Sequence, residues 1–413
     1  VNRIGTDDQI YIAYSEAGAD QLRFARRENG SWSFENVDVP NQQVADVVMA
    51  LDNSGIPVVA YVNKNLERLR LADKRDGNTW QFQTVEIGSK PRDVQLGLSV
   101  DSLFLVFYDV SIGALSYTHG AYPDGPWRTD VIDESSSIVG QRPSFVVDEQ
   151  GRLHVAYLDV LNAKIRYAVR ELNGVWNFED ATETQNFTPT SVSLALEQDG
   201  TPAIAFRNAA SNEIVFARKG GGIWQTTPVD GEVSNIVGQP LKLILDSQDR
   251  PWILYNYAAV LDELRLVRRT KGGSWAQVSV LNPQEIANVF DFSLVEQDLY
   301  IVGRKNVVGA TGLGLLFAEQ GIKTNLSPAL SQDAFTIFPN PGQEWMQVKL
   351  QEGLTKVRLD IYNVQGQQVH FEKVGDPPAS VLTLSTQKLT PGVYIVHLQS
   401  EQGSTARRWV KMP

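Results

Sequence analysis

The residues of this chain that could carry out chemistry are arginines and tyrosines, because cysteine is absent. A guanidinium group can clamp a carboxylate through two parallel hydrogen bonds. Four arginines lie near the predicted openings of a repeating unit, where such a clamp could act: Arg3, Arg92, Arg142 and Arg207. A hydrolase with a tyrosine nucleophile would also need an acidic partner. Tyr257 could serve as that tyrosine, but no neighbouring motif marks it, so the sequence favours a protein without catalytic residues.

No metal centre and no cofactor are expected. The absence of cysteine excludes disulfides, thiolate nucleophiles and cysteine-ligated metals. The histidines fall on different segments and form no pair with the spacing of metal ligands; they are His119, His154, His370 and His397. The Gly220–Gly222 triplet is interpreted as a hairpin tip, because no strand-to-helix context for a phosphate-binding loop surrounds it.

The overall charge is acidic. A formal net charge of −11 and an isoelectric point near 5.0 argue against nucleic acid and anionic membranes as partners, because phosphate binding needs clustered lysine and arginine. No apolar segment approaches the roughly 18 residues that a membrane helix requires. The segment Val1–Ile4 lacks the basic and apolar regions of a signal peptide. If the protein is exported, we expect its signal to precede residue 1 of this numbering.

The elements that would position these residues form a repeat about 48 residues long. Its clearest marker is a column of tryptophans: Trp32, Trp80, Trp127, Trp176, Trp224 and Trp275. A second aromatic column precedes it by about 20 residues: Tyr14, Tyr61, Tyr108, Tyr157, Phe206 and Tyr255. Repeats of this length are typical of four-stranded propeller blades, which bury their faces against one another. We therefore assign both columns to packing between blades rather than to sugar-stacking platforms.

One repeat, residues 141–182, shows four strands separated by turns. Its strands are predicted at Ser144–Val147, Leu153–Tyr157, Lys164–Val169 and from Val175 onward. Turns with glycine join the first strand to the second and the third to the fourth, as in Asp148–Gly151 and Asn173–Gly174. The Asn-Gly and Asp-Gly pairs predict type I′ hairpins. Aspartates in such turns ordinarily bind their own backbone, so we do not expect them to bind calcium.

The other two sets of loops vary in length and composition. They join the second strand to the third and each blade to the next, and in an up-and-down blade both sets emerge on one face. We call this side the varied face and the side with the glycine turns the uniform face. Variable loops on a rigid scaffold commonly build binding surfaces. The residues predicted to bind a ligand on the varied face are Arg92, Asp109, Gln141, Arg142, Asp159, Arg207, Gln239, Asn256 and Tyr257.

The first and last repeats differ from the others. Residues Val1–Gly5 are interpreted as a shortened first strand. The seventh repeat has three candidate strands, at residues 289–294, 299–302 and 313–318, but no tryptophan follows them. The expected fourth strand falls on the polar segment 321–330, which contains a proline. We predict a seven-bladed β-propeller whose last blade has a weak or missing outer strand, and an open strand edge invites pairing.

A different pattern follows the propeller. We predict the propeller at residues 1–323, a linker at 324–334 and a second domain at 335–413. The second domain shows seven short strands separated by turns, which predicts a small antiparallel β-sandwich. The strands are expected to begin at Phe335 and then to cover residues 346–350, 357–362, 367–371, 381–384, 393–398 and 407–411. The predicted fold class is therefore all-β throughout.

Four ordered motifs of the second domain resemble the type A C-terminal sorting domain found in cargo proteins of the type IX secretion system. This system is also called the Por secretion system. The motifs are Phe338-Pro-Asn-Pro341, Leu359-Asp-Ile-Tyr-Asn-Val-Gln-Gly-Gln367, Leu384-Ser385 followed by Leu389-Thr-Pro-Gly-Val-Tyr-Ile-Val396, and Arg407-Arg408-Trp-Val-Lys411. Each motif alone is a common strand or turn signal, but their order is specific. The positions that carry the resemblance are Phe338, Pro339, Asn340, Pro341, Gly366, Pro391, Gly392, Tyr394, Arg407, Arg408 and Lys411.

The resemblance implies export. It points to a Bacteroidota protein that crosses the inner membrane by a cleaved signal and passes the periplasm and the outer membrane through the type IX translocon. Such proteins end on the cell surface or in the medium. The implied partners of the domain are the translocon and an outer-membrane shuttle, with Arg407, Arg408 and Lys411 on or beside an exposed strand. The same three residues could instead form a solvated basic edge that discourages aggregation.

The propeller looks similar to bacterial surface propellers in general, including sialidase-like and lectin-like ones, but no motif allows site residues to be carried over. We expect a non-enzymatic adhesion module that binds glycan or protein. One alternative is a structural subunit that self-associates through the incomplete seventh blade. The other is a sialidase-like glycoside hydrolase, whose characteristic turn is incomplete here because the aspartate expected three residues before the glycine is missing.

Overall fold

The computed structural model of the protein describes most of the chain. The described residues are 2–4, 9–16, 21–28, 31–38, 43–75, 79–85, 87–182, 189–230, 241–257, 263–270, 272–281, 287–295, 298–306, 313–321, 334–363, 368–374, 380–400 and 404–412. Within these ranges the regular structure consists of β-strands without any α-helix, which confirms the predicted all-β class. No helix of the described ranges is long and apolar enough to cross a membrane.

The first four sheets each contain four antiparallel strands, hydrogen-bonded in chain order. The first consists of β1 (Asn2–Ile4), β2 (Ile10–Glu16), β3 (Gln21–Glu28) and β4 (Ser31–Asn36). The second consists of β5 (Val44–Leu51), β6 (Pro57–Asn63), β7 (Arg68–Asp73) and β8 (Gln81–Val85). The third consists of β9 (Pro91–Leu98), β10 (Ser102–Asp109), β11 (Ala114–Ala121) and β12 (Arg128–Asp133). The fourth consists of β13 (Val139–Val147), β14 (Leu153–Asp159), β15 (Lys164–Arg170) and β16 (Trp176–Asp180).

Three further sheets complete the repeat region. The fifth consists of β17 (Pro189–Leu196), β18 (Pro202–Asn208), β19 (Glu213–Gly220) and β20 (Ile223–Asp230). The sixth consists of β21 (Leu241–Leu245), β22 (Pro251–Tyr257), β23 (Glu263–Arg269) and β24 (Trp275–Leu281). The seventh has three strands in the described residues, β25 (Ala287–Val295), β26 (Asp298–Asn306) and β27 (Leu313–Gly321). The fourth strand expected at 321–330 lies outside the described residues, apart from Gly321 at the end of β27.

The sheets follow one another in a circle. The first strand of each sheet contacts the first strand of the next, from β1 to β25, and β25 in turn contacts β1. Across this last boundary, Ile10 and Ile12 of the first sheet pack with Val302 of the seventh. On the other side of the seventh sheet, Lys242 forms an ion pair with Asp291 at 3.2 Å. The shared apolar surface between neighbouring sheets therefore continues from the last sheet to the first.

The tryptophans fill the gaps between neighbouring sheets, as predicted. Four contacts place a tryptophan at or beside the start of an outer strand edge-to-face on an aromatic ring of the preceding sheet, with ring centroids 5.0–5.5 Å apart. The pairs are Trp80 with Phe24, Trp176 with Tyr117, Trp224 with Tyr167, and Trp275 with Phe216. Such geometry contributes about 0.5–1.5 kcal/mol beyond the burial of area. The repeat length of the sequence follows from this recurring gap.

The hairpin turn between β15 and β16 differs from the predicted type I′ geometry. In the turn after Glu171, the amide of Gly174 donates to Glu171 O at 2.8 Å, and the amide of Glu171 donates to Val175 O at 2.9 Å. Gly174 has a positive φ of 88°, but Asn173 is not among the residues with positive φ. This is a three-residue loop in which a type I turn ends on a left-handed glycine. The type I′ prediction was wrong there because only one position needs a left-handed backbone.

The C-terminal region forms two facing sheets, which confirms the seven predicted strands. One sheet contains β28 (Phe335–Phe338), β29 (Trp345–Leu350) and β32 (Val381–Ser385). The other contains β30 (Arg358–Asn363), β31 (Gln368–Lys373), β33 (Gly392–Gln399) and β34 (Ser404–Lys411), in the order β31-β30-β33-β34. Their inner faces enclose one apolar core that includes Phe335, Tyr394 and Trp409. The predicted linker lies outside the described residues except for Ala334, which is buried.

Candidate functional sites

Three boundaries between sheets carry the same tyrosine, aspartate and arginine cluster. At the boundary between the third and fourth sheets, Tyr157 donates a hydrogen bond to Asp133 Oδ2 at 2.6 Å, and Arg166 donates to the same oxygen. The other two clusters are Tyr61 with Asp38 and Arg70, and Tyr255 with Asp230 and Arg265. In each case the aspartate ends the preceding sheet, so the cluster links neighbouring sheets.

These tyrosines are poor nucleophiles. Burial raises the pKa of Tyr61, Tyr157 and Tyr255 above the usual range, and the neighbouring aspartate raises each pKa further. All three side chains have no exposed surface. A nucleophilic tyrosine needs a lowered pKa or an adjacent base, together with access to the substrate. The clusters therefore stabilise the boundaries between sheets, although they contain the residue types of a tyrosine-dependent hydrolase.

Two aspartates predicted on the varied face hold loops in place. Asp159 is almost fully buried, and its carboxylate accepts hydrogen bonds from the amide and the side chain of Asn162 and from Ser136 Oγ. Asp109 is also buried and accepts from the amide of Ser111 at 2.9 Å. Asp109 ends β10 and Asp159 ends β14, the second strands of their sheets. Their carboxylates accept hydrogen bonds from amides of the following turn that have no strand partner.

Arg92, Gln141 and Arg142 lie on the first strands, at irregularities in the strand pairing. The register of β13 shifts at Gln141, and Arg142 follows in the left-handed region with a φ of 50°. The amide of Arg142 donates to Asp93 Oδ2 at 3.0 Å, so the bulge of one sheet is bound to the bulge of the sheet before it. Arg92 Nη1 donates to Pro91 O at 2.8 Å. The structure thus binds Arg142 to the preceding sheet through its backbone amide, while the Arg92 side chain contacts a carbonyl of its own strand.

Of the remaining residues predicted on the varied face, one is buried in the core and the side chains of the other three are not described. Arg207 is fully buried in β18, and burial lowers the pKa of its guanidinium to about 10. Asn256 and Tyr257 end β22, but the positions of their side chains are not described. Gln239 lies outside the described residues. The binding role of the varied face stays a prediction.

A cavity of about 300 Å³ lies between the fifth and sixth sheets. It opens on the uniform face, because turns between first and second strands and the ends of third strands form its walls. The lining residues are Glu197, Phe216, Arg218, Gln248, Asp249, Arg250, Pro251, Arg269 and Thr270. Sequence reasoning did not select any of these residues. One feature of the sequence could have indicated them. The turn Asp246–Arg250 has the same aspartate-to-arginine contact as the turn Asp148–Arg152 of the fourth sheet, but different residues follow it in the chain.

The C-terminal sandwich shows what the Pro-Asn-Pro motif does. Asn340 Nδ2 donates to Arg408 O at 2.8 Å, and Asn340 Oδ1 accepts from the amide of Val410 at 3.0 Å. Gly342 pairs with the same strand on both sides of Lys411, because its amide donates to Val410 O and its carbonyl accepts from the amide of Met412. The segment 338–342 therefore covers the outer edge of β34. The strand that was predicted to be exposed therefore has a hydrogen-bonded edge.

The other motif positions divide between this edge and the core. Trp409 is fully buried, and its Nε1 donates to Pro339 O at 2.8 Å. Tyr394 is buried, and its hydroxyl donates to Thr390 O at 2.6 Å, which holds the turn that contains Pro391 and Gly392. The exposed positions are Phe338, Pro339, Asn340, Pro341, Pro391, Gly392 and Arg408, while Arg407 and Lys411 are half-buried. Gly366 lies outside the described residues.

A comparison with protein families identifies the C-terminal region of the chain. Residues 336–412 match the family described as Secretion system C-terminal sorting domain. A comparison with curated proteins found no match. Among solved structures, an ulvan lyase of a new polysaccharide lyase family is similar with a TM-score of 0.57 and 10% identity, over 77% of this chain and 91% of that chain.

Two further solved structures are similar at low identity. A puromycin hydrolase mutant has a TM-score of 0.53 and 11% identity, over 84% of this chain and 57% of that chain. A mutant of the Aleuria aurantia lectin in complex with alpha-methyl-L-fucoside has a TM-score of 0.46 and 15% identity, over 68% of this chain and 94% of that chain. At these identities the likeness concerns the propeller-like fold, and function has to be argued from sites.

The sorting domain determines the destination of the protein. Its motif residues lie in one folded sandwich, and the family match covers that sandwich from Thr336 to Met412. Domains of this family address proteins to the type IX secretion machinery, which releases them at the cell surface or outside the cell. The chain is therefore a cargo of the type IX secretion system, with a C-terminal sorting domain behind an all-β, propeller-like region.

Proposed function

We propose that the repeat region is a seven-bladed propeller that acts as a non-enzymatic binding module for glycan or protein at the bacterial surface. In this proposal the propeller occupies residues 1–323, a linker residues 324–334 and the sorting domain residues 335–413. The circular contacts between the first strands support the count of seven blades. We further propose that the source is a Bacteroidota bacterium and that a cleaved signal precedes the described chain.

The burial and the raised pKa of the described tyrosines support a binding module that is not an enzyme. In each cluster that combines tyrosine, carboxylate and arginine, the tyrosine is sealed from solvent and its pKa is raised. Every member is engaged in binding one sheet to the next. Clusters of this kind hold the loops of the described sheets on a rigid scaffold, which suits a surface for adhesion.

The test combines a glycan array with product analysis. The full-length protein is applied to the array, and bound glycans are then incubated with it at high concentration and examined by mass spectrometry. Binding with intact glycans is expected. Formation of shorter or unsaturated products would instead support an enzyme and contradict the proposal. A parallel cross-linking experiment on intact cells identifies protein partners.

A structural role in a surface assembly is a second candidate, favoured by the seventh sheet. The described part of this sheet ends at β27, whereas each preceding sheet has a fourth strand on that side. Unpaired strand edges recruit strands from other chains. Sedimentation at increasing protein concentration tests this candidate, because pairing through β27 predicts oligomers that grow with concentration. A monomer at all concentrations would remove it.

A further inference from the structure

We propose that the cavity between the fifth and sixth sheets binds the oxyanion of an acidic sugar, either a uronate or a sulfate ester. This inference rests on the proposed binding function of the propeller and gives it a place and a ligand class. The place is the uniform face, which the sequence had not indicated as a binding surface. Four observations support it: the shape of the cavity, its charges, its polar groups and a difference from the equivalent boundary of the fourth sheet.

The cavity has a rigid base. Phe216 forms its floor and is packed edge-to-face against Trp275, with ring centroids 5.4 Å apart. The two walls are bound together at the rim, because Gln198 of the fifth sheet donates its amide to Asp249 Oδ1 and its side chain to Ser247 O of the sixth. A cavity whose walls are already joined loses little freedom when a ligand binds.

Three guanidinium groups line the cavity, and two of them are paired with carboxylates, while Asp249 is a further carboxylate of the rim. Arg218 is neutralised by Glu197, which binds it through both carboxylate oxygens. Arg250 uses its Nε to bind Asp246 Oδ2 at 2.7 Å. Arg269 donates its Nε to Gly273 O at 3.2 Å and lies over the ring of Phe216, and it forms no ion pair with any described residue. Its terminal nitrogens are therefore available to an anion.

A second cation adds to the positive field behind the cavity. Arg268 lies over the ring of Trp252 at 4.9 Å. Burial lowers the pKa of Arg268, and the positive charge of Arg250 lowers it further. Arg268 is not among the residues that line the cavity, so its charge adds only to the surrounding positive field. An anion in the cavity would gain charge-assisted hydrogen bonds from the lining guanidinium groups.

The neutral and acidic groups of the rim suit hydroxyl groups. Asp249 uses Oδ1 for the Gln198 amide, and its second oxygen can accept from a ligand hydroxyl. The side chains of Gln248 and Thr270 lie on the same lining and can donate or accept. Phe216 has almost no exposed surface, so it does not offer a stacking face to a nucleobase. A ligand with several hydroxyls and one oxyanion fits this set best, and acidic sugars have that composition.

The equivalent boundary at the fourth sheet shows how the site arises. There Arg152 is held by Asp148, as Arg250 is held by Asp246, but it also faces Glu171 at 4.0 Å. In the sixth sheet Thr270 occupies the turn position of Glu171, since both amides begin the same type of three-residue loop. Replacement of a carboxylate by a hydroxyl removes the neighbour that Glu171 provides to Arg152, while Asp249 takes the place of Gly151 in the turn and directs its Oδ1 to the Gln198 amide. The sixth sheet thereby gains an anion site that the fourth sheet neutralises internally.

The experiment restores the missing carboxylate. Binding of the full-length protein is measured by calorimetry with three oligosaccharides of equal length: one of uronates, one with sulfate esters and one neutral. The variants are Thr270→Glu, which imitates the fourth sheet, and Arg269→Gln. The matched control is Arg170→Gln, because Arg170 pairs with Trp176 as Arg269 pairs with Trp275. Thermal unfolding of each variant confirms that it is folded.

We expect the wild-type protein to bind at least one acidic oligosaccharide, and the better of the two identifies the oxyanion. Thr270→Glu and Arg269→Gln should weaken that binding at least tenfold, while Arg170→Gln leaves it unchanged. Affinity should also fall with added salt, because the contact is between charges. Unchanged binding by Thr270→Glu, or equal binding of the neutral sugar, would overturn the acidic-sugar site but leave a binding propeller. Absence of binding to any of the three sugars would overturn the site, and the glycan array and the cross-linking then decide separately on the binding function.

Discussion

Asn340 holds Val410 in place across 70 residues of sequence, with its Oδ1 accepting from the Val410 amide at 3.0 Å. The same side chain donates to Arg408 O at 2.8 Å, so a single amide group satisfies a donor and an acceptor on the edge of the last strand. Asparagine can do this because it carries both kinds of group at the spacing of a peptide unit. The exposed side chain of Arg408 and the half-buried side chains of Arg407 and Lys411 are thus presented on a strand whose edge is already occupied.

We predict that Asn340→Ala loosens the last strand. Two hydrogen bonds are lost, and the edge of β34 opens, which should cost about 1–2 kcal/mol of sandwich stability. Hydrogen exchange of residues 404–412, followed by mass spectrometry, should show faster exchange at Val410 than in the wild type. Gln347→Ala is the control, because its half-buried side chain makes one hydrogen bond of 3.3 Å to Thr383 Oγ1 and lies in the other sheet. Equal protection of β34 in both variants would show that the turn does not hold the strand.

Removal of residues 335–413 is predicted to stop export. The truncated protein should accumulate in the periplasm of its host, because the domain that addresses it to the translocon is missing. Cell fractionation with a periplasmic marker and surface proteolysis of intact cells measure the distribution. The full-length chain serves as the control. Normal surface display of the truncated chain would contradict the sorting role of the domain.

Tyr157→Phe is predicted to weaken the boundary between the third and fourth sheets without affecting ligand binding. The substitution removes the hydrogen bond to Asp133 and leaves a buried carboxylate with fewer donors, at a cost of about 1–3 kcal/mol. Phe206 occupies the same column in the fifth sheet, so the ring itself fits such a position. Urea denaturation measures the free energy of unfolding. Loss of binding in a variant that remains folded would show that the tyrosine contacts the ligand.

The stability of the propeller should fall in mild acid because of His154. Burial lowers the pKa of this histidine below its ordinary value of 6.5, so the unfolded chain binds a proton before the folded protein does. The associated stability is complete above pH 6.5 and is lost as the pH falls below that value toward the folded pKa. His154→Gln should remove this part of the pH dependence.

The measurement for His154 compares urea denaturation of the wild type and of His154→Gln at pH values between about 5 and 8. The difference between the two proteins isolates His154, because His397 in the sandwich also has a pKa lowered by burial and contributes to both. The unfolding free energies of the two proteins should converge as the pH falls. A constant difference over the whole range would show that His154 does not titrate between the two states.

The sequence alone determined the features that depend on local or periodic patterns. A repeat of large aromatic residues predicts sheets that pack face to face, because the same gap recurs at the same place in each unit. The strands of the sandwich and the sorting motif were also readable, since turns and alternating residues act over short distances. The number of strands in each of the first six sheets followed from these patterns without knowledge of any contact.

The tertiary structure decided how the individual side chains are used. Asp109 and Asp159 looked like ligand-binding residues, but they satisfy turn amides, because the preceding strand ends where a backbone partner is missing. Tyr157 and Asp133 lie 24 residues apart in sequence and meet only when two sheets pack. The role of Thr270 in the cavity could be inferred only from its position beside Arg250 and from comparison with Glu171. The charge balance of a cavity depends on groups that different sheets bring together.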